Sequence, residues 1–294
     1  MNDQAESLRQ LVSSMEQQEH QRPPRSARVI TVSSGKGGVG KSNFTLNFAL
    51  ALKALNKKVL LFDADIGMAN IDVLMGVRPR YNLYHLLKGE KNIREIMEHG
   101  IDSLPFIPGG SGLADLFTLS DSDLNYFTEQ IEEISSEMDY IIFDTGAGLS
   151  KETLKFITAA DECLVVTTPE PTSITDAYAL IKVVGGMDDV VPFQLMINRV
   201  ENEREARQVA DKISLVARKF LDIEIPMLGF MSDDNHVVQA VKKQVPFSVA
   251  YPNCNASRDI QRLAANYIAN GMTQEAGTLT GIKGFLHKWL KRTK

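Results

Sequence analysis

From Arg28 onward, short apolar runs alternate with longer stretches whose apolar residues recur every three or four positions. The runs "RVITVS", "KVLLFDA", "SLPFIPG", "DYIIFDT", "ECLVVTT", "PFQLMIN" and "PMLGFM" carry apolar residues at consecutive rather than alternate positions. A strand with no polar face is one buried on both sides. Helical stretches fall between most of them, at 42–56, 120–137, 172–185, 202–220 and 255–270. Strands alternating with helices predict an α/β fold, a doubly wound and mainly parallel sheet flanked by helices.

The two ends break this pattern. Residues 1–27 read as a short helix and a linker. Asp3 suits an N-cap, Ala5, Leu8, Leu11 and Val12 share one side, and Pro23 and Pro24 end any helix. A frayed terminal helix would show the same residues. Residues 271–281, "GMTQEAGTLTG", have no periodicity and form a second linker. Beyond it, Ile282, Phe285, Leu286, Trp289 and Leu290 fall at i, i+3, i+4, i+7 and i+8, one apolar stripe among basic residues. This reads as an amphipathic helix, separate from the domain, that lies on an anionic membrane; a helix docked in the core would carry the same stripe. The expected organisation is therefore 1–27, a domain at 28–270, a linker at 271–281 and a basic helix at 282–294.

Charge sharpens the contrast between tail and body. The chain has 32 basic and 37 acidic residues, and residues 281–294 hold five of the former and none of the latter. The remaining 27 basic and 37 acidic residues leave the body at −10, which argues against nucleic acid as a partner. Cys163 and Cys254 are not paired in a C-x-x-C motif, so neither a cysteine zinc site nor a carried cluster is expected, and Cys163 in its apolar run reads as a buried thiol. No signal peptide or membrane-spanning run is evident, so the expected location is the cytoplasm.

The candidate chemistry begins at "GKGGVGKS", Gly35 to Ser42, which fits the phosphate-loop pattern between a predicted strand and a predicted helix. Gly35, Gly37, Gly38 and Gly40, with Val39 between them and Asn43 after, let backbone N–H groups turn inward around phosphate oxygens. Lys41 is expected at the β- and γ-phosphates, and the Ser42 hydroxyl on Mg²⁺. Asp63 and Asp65 in "FDAD" and Asp144 in "IIFDTGAG" close two strands at their carboxyl ends, where ligands bind in such sheets. A lone strand-end Asp is commonly a turn former. The spacing is not that of a dinucleotide loop, and no N-K-x-D guanine reader is present, so ATP/ADP is favoured.

"KGGVGKS", with Lys36 near its start, resembles the deviant phosphate loop of the MinD/ParA family of dimerising ATPases. The resemblance implies that Lys36 reaches the phosphates of a partner's ATP in a homodimer, while Lys41 serves its own. It implies that Asp65 positions the attacking water, that Asp63 lies near Mg²⁺ through water, and that Asp144 holds the metal's hydration shell. Asn198 and Arg199 in "MINRV" would frame the adenine, although Asn198 could equally be a strand-end cap. "SDDNHV", Ser232 to Val237, would close the other side of the base. Glu170 and Asp176 match positions at the family's dimer face. Where MinD proteins usually have Pro, this chain has Gly146, which implies a looser switch loop.

The opening "DQAESLR" is similar to that of the FlhG (YlxH/FleN) family of flagellar-number regulators, which are MinD-like. There the N-terminal peptide docks on the FlhF GTPase and stimulates it, which implies partner-binding roles for Asp3, Gln4, Leu8 and Arg9. The implied function is an ATP-driven dimerising switch that controls flagellar number or placement, cycles to the inner face of the cell membrane and meets flagellar basal-body switch proteins. The alternative is a division-site MinD that recruits a division inhibitor.

Overall fold

The computed structural model describes residues 27–65, 70–110, 121–187, 191–271 and 281–291. Eight strands form one sheet: β1 Arg28–Ser33, β2 Val59–Ala64, β3 Glu98–His99, β4 Pro105–Ile107, β5 Tyr140–Thr145, β6 Glu162–Thr167, β7 Phe193–Val200 and β8 Met227–Ser232. Their spatial order is β3-β4-β2-β5-β1-β6-β7-β8. Every pairing is parallel except that of β3 with β4. The mainly parallel expectation holds. β3 was not foreseen, because two residues at a sheet edge leave no periodic signature.

The helices, in chain order, are α1 Lys41–Ala54, α2 Ile71–Met75, α3 Leu83–Leu87, α4 Ile93–Ile96, α5 Asp121–Ser135, α6 Lys151–Ala159 and α7 Pro171–Gly185. They continue with α8 Glu203–Leu221, α9 Asn235–Lys243, α10 Phe247–Ala250, α11 Asn255–Gly271 and α12 Ile282–Lys291. Successive strand residues point to opposite faces. Ile30, Val32, Leu61, Ile142 and Met196 pack with Phe44 and Phe48 of α1 and with Ile260 and Tyr267 of α11 on one face. Val29, Leu60, Phe62, Ile141 and Phe143 pack on the other with α5 and α6. Cys163, Val165, Leu195 and Ile197 continue that second face under α7 and α8. This two-sided burial is why the strands read as continuous apolar runs. The Cys163 thiol is fully enclosed, and burial pushes its pKa up to about 12.

The expectation of a basic helix separate from the domain is corrected. Helix α12 lies against the body in a groove between α5 and α6, and Ile282, Phe285, Leu286 and Trp289 are each at most 3% exposed. The Phe285 ring stacks on Phe143 of β5, with centroids 4.8 Å apart and planes 10° from parallel. Trp289 meets Phe127 and Phe156. The Asp161 carboxylate accepts the backbone N–H of Gly281 at 3.0 Å and that of Val29 at 2.8 Å, which ties the start of the helix to the edge of β1. The physical reason is the stripe itself: a face of four large apolar side chains buries itself on any apolar surface within reach, and the open face of β5 supplies one. The side chain of Leu290 lies outside the described residues, as do Asp3, Gln4, Leu8 and Arg9 of the N-terminal segment. Among the described residues no helix is long and apolar enough to cross a membrane.

Candidate nucleotide site

Strand β1 ends at Ser33, and the chain turns through Ser34–Gly40 into α1. Two glycines make that turn possible. A Cβ at Gly35 would lie 2.1 Å from the backbone carbonyl of Asp176, so α7 packs directly on the loop. Gly40 sits at φ +93°, and a Cβ there would meet Asn198 Nδ2 at 2.3 Å. The loop is further fixed from the neighbouring strand: the Gly148 N–H donates to the Ser34 carbonyl at 2.8 Å, and Ser33 Oγ lies 2.6 Å from Thr145 Oγ1.

The two lysines of the loop have opposite environments. Lys41 is buried; its Nζ donates to Asp144 Oδ1 at 2.9 Å and lies 3.3 Å from Ser42 Oγ. Lys36 points outward, its side chain 40% exposed, with Nζ 3.2 Å from Glu170 Oε2 and 3.0 Å from Thr172 Oγ1. Thr45, outside the phosphate-loop motif, joins the site. Its Oγ1 lies 2.8 Å from Asp144 Oδ1 and 2.9 Å from the Lys41 carbonyl, so it helps to orient the strand-end carboxylate. Its signal was position: one helical turn after Lys41, on the same face.

Asp65, Ser42, Gly37, Gly38 and Gly146 share a cleft of about 740 Å³, a size suited to a nucleotide. A Cβ at Gly146 would stand 3.6 Å from Asp65 Oδ1, so the carboxylate faces the loop that follows β5. From the sequence, Asp63 is expected near the metal. In the structure its Oδ1 accepts the N–H of Asp65, and its Oδ2 those of Asn70 and Ile71. Asp63 thus ties the backbone of Asp65 to that of Asn70 and Ile71 at the start of α2. Burial, and next the charge of Asp144, push its pKa up to about 7.

Asn198 is buried, and its Nδ2 donates to the Val39 carbonyl at 2.7 Å while its Oδ1 accepts the Arg199 N–H. The Asn198 amide thus braces the phosphate loop. Arg199 is exposed at φ +57° and lines both the phosphate cleft and an adjoining cavity of about 800 Å³. Asp233, Asn235 and Val237 of the "SDDNHV" stretch wall that second cavity, together with Asn43 and Glu170. The phosphate-loop cleft and this second cavity share Gly40, Asn43 and Arg199 in their walls, so the two are contiguous.

The site also suits a divalent cation. Asp144 Oδ2 is buried without a hydrogen-bond partner among the described residues, while Oδ1 is already held by Lys41 and Thr45. An oriented carboxylate oxygen near a loop hydroxyl is the donor chemistry that hydrated Mg²⁺ takes.

A strand-end phosphate loop, a buried lysine on a second strand-end Asp and a parallel sheet wound on both faces define a P-loop nucleoside triphosphatase. A family model described as an AAA domain matches residues 27–197, and the chain belongs to the MinD/ParA-type P-loop ATPases. The antiactivator FleN of Pseudomonas aeruginosa is 36% identical over 237 residues, which is 81% of this chain and 85% of FleN. The flagellum site-determining protein YlxH of Helicobacter pylori is 35% identical over 297 residues, 99% of each chain. Among solved structures, a chain of the MinC:MinD cell division protein complex of Aquifex aeolicus superposes with a TM-score of 0.67 at 28% identity, over 87% of this chain and all of that one.

Proposed function

We propose that this ATPase is a dimerising switch that sets flagellar number or placement. The observation that carries the reading is the opposed orientation of the loop's two lysines. Lys41 points into its own site, on Asp144, and Lys36 points out toward Glu170 on an exposed face. A cation supplied in trans would stabilise developing charge on the transferring phosphoryl only after assembly. Lys41 would hold the β- and γ-phosphates. Ser42 and Asp144 would hold Mg²⁺, which supplies charge neutralisation on the phosphates when bound. Asp65 would orient the attacking water, and Arg199 would lie against the base. The names FleN and YlxH support the flagellar output.

Two extensions belong to the same proposal. Residues 1–27, with Asp3, Gln4, Leu8 and Arg9, would dock on the FlhF GTPase and stimulate it. Helix α12 would bind anionic membrane once it leaves its groove, making the protein peripheral to the inner face of the cell membrane. The apolar face that would enter lipid is the one now buried on the body, so membrane binding requires undocking.

Analytical sedimentation with ATP tests the core of this reading. Wild type and Asp65→Ala should dimerise, the latter persistently. Lys36→Ala should bind ATP and stay monomeric. An ATP-bound Lys36→Ala dimer of normal affinity would refute the role in trans. Affinity capture with Asp65→Ala separates the outputs: FlhF and flagellar switch proteins support the flagellar reading, and a division inhibitor supports a MinD role.

A further inference from the structure

Behind the base-side cavity, three side chains of different donor type converge. Asp234, His236 and Cys254 each offer one ligand atom, and all three atoms lie within 4.8 Å of one another. They come from two segments: Asp234 caps α9 and His236 lies in its first turn, while Cys254 stands just before α11. Asp234 is well ordered by its surroundings, its side chain 8% exposed. Its Oδ1 accepts the His236 N–H at 2.9 Å and lies 2.7 Å from His236 Nδ1, and its Oδ2 accepts the Ala256 N–H at 3.3 Å. The ring of Tyr251 lies against the imidazole, with centroids 4.7 Å apart. Cys254 Sγ lies 3.2 Å from Ser257 Oγ.

We propose that Asp234, His236 and Cys254 form a site for a borderline-soft divalent cation of the zinc class, which clips the β8–α9 turn to the start of α11. The donor set decides the class. Thiolate and imidazole select against Mg²⁺ and Ca²⁺, and one carboxylate with them makes a three-ligand set of the kind zinc accepts with solvent in the fourth position. Bonds of about 2.0–2.3 Å place tetrahedral ligands roughly 3.3–3.8 Å apart, so the donors need only small side-chain adjustments to close. His236, with its side chain 48% exposed, leaves the fourth position open to water. Asp234 keeps its helix-capping bond, because a carboxylate oxygen has a second lone pair for the metal. The His236 and Ala256 backbone N–H groups orient its carboxylate. On binding, the Cys254 thiol proton leaves to solvent, and His236 ligates as the neutral imidazole, its one ring proton on the nitrogen that does not hold the metal.

Paired cysteines are the sequence signature of zinc, and their absence hid this mixed set, whose members lie up to 20 positions apart. The consequence is local. Asp234 stands between Asp233 and Asn235, all three on the wall of the base-side cavity, so a filled site would stiffen the wall against which a base packs.

The test uses the full chain, first treated with chelator. Titration with Co²⁺, followed by its sulfur-to-metal charge-transfer absorption, should saturate at one ion per chain, and Zn²⁺ should displace it. Cys254→Ser should abolish the band, His236→Ala should weaken binding at least tenfold, and Cys163→Ser should leave both unchanged. Circular dichroism confirms that each variant is folded. A chain that shows no charge-transfer band with stoichiometric Co²⁺, or a band that survives Cys254→Ser, overturns the proposal. None of these readouts depends on ATP binding, so the result stands apart from the fate of the switch reading.

Discussion

Lys41 Nζ and Asp144 Oδ1 form an ion pair 2.9 Å long with side chains only 7% and 1% exposed, 103 residues apart in the chain. Lys36, five positions earlier on the same loop, makes its pair with Glu170 at 40% and 59% exposure. Depth separates these two contacts energetically. Removing one partner of a buried pair strands a charge and costs roughly 3–5 kcal/mol. An exposed pair is worth about 0–1 kcal/mol.

The first prediction follows from that contrast. In urea unfolding without nucleotide, Lys41→Ala should lose about 3–5 kcal/mol, whereas Lys36→Ala should change stability by less than about 1 kcal/mol. Replacing both partners, as in Lys41→Met with Asp144→Leu, should recover much of the loss while ATP binding stays absent. Equal destabilisation by the two single lysine variants would show that the Lys41–Asp144 contact is not the deep pair described.

Gly40 supports a second prediction. At φ +93° an L side chain is strained, and its Cβ would force Asn198 off the Val39 carbonyl. Gly40→Ala should cost about 1–2 kcal/mol from the left-handed backbone alone, and should weaken ATP binding at least tenfold because the loop loses its brace. Gly89→Ala is the control: it too has a left-handed φ, +69°, but a Cβ there meets nothing within 4 Å and it lines neither cavity of the site. Isothermal titration with ATP on both variants gives the comparison, and similar affinities would remove the bracing role from Asn198.

The third prediction concerns pH. Asp63 titrates near 7 in the folded chain against a usual 3.8, chiefly through burial. Between those values the unfolded chain carries the charge and the folded chain carries the proton. The contribution to stability is therefore full below pH 3.8 and is lost as pH rises through about 7. A shift of roughly three units corresponds to a change on the order of 4 kcal/mol across that window. Glu162 is also pushed upward by burial and tilts the same way, so the readout is the difference between wild type and Asp63→Asn. Thermal melts from pH 5 to pH 8 should fall more steeply for wild type than for the variant. Parallel curves would mean that Asp63 does not titrate in this range.

What the sequence made legible was whatever a local pattern encodes. Continuous apolar runs revealed seven of the eight strands, and the glycine-lysine spacing located the phosphate loop beside Asp144. What stayed hidden depends on long-range partners. Nothing near Asn198 in the chain shows that its amide would meet the Val39 carbonyl 159 residues away. Asp63 reads as a ligand carboxylate until the fold brings the Asn70 and Ile71 amides onto it. The stripe in α12 is the clearest case. Periodicity fixes which side chains share a face, but not whether lipid or Phe143 covers that face.

That ambiguity yields the last prediction. Four buried side chains of α12 favour docking by about 1.5–3 kcal/mol each, and insertion in lipid would return a similar area, so the exchange is nearly balanced. Basic residues near an anionic surface add about 1 kcal/mol each, enough for small changes in docking to decide residence. The Asp161 carboxylate is one such control, because it accepts the Gly281 and Val29 N–H groups, and bonds to charged groups contribute roughly 1.5–3 kcal/mol. Asp161→Asn should therefore raise flotation with anionic liposomes in the absence of nucleotide. Because Val29 belongs to the sheet, a second variant isolates the tail: Gly281 sits at φ +79°, so Gly281→Ala strains only the entry to α12. Trp289→Glu should undock the helix and yet fail to float, since the same face serves both surfaces. If Asp161→Asn and Gly281→Ala both float no better than wild type, undocking does not limit membrane binding. If Trp289→Glu floats as well as wild type, α12 is not the membrane contact.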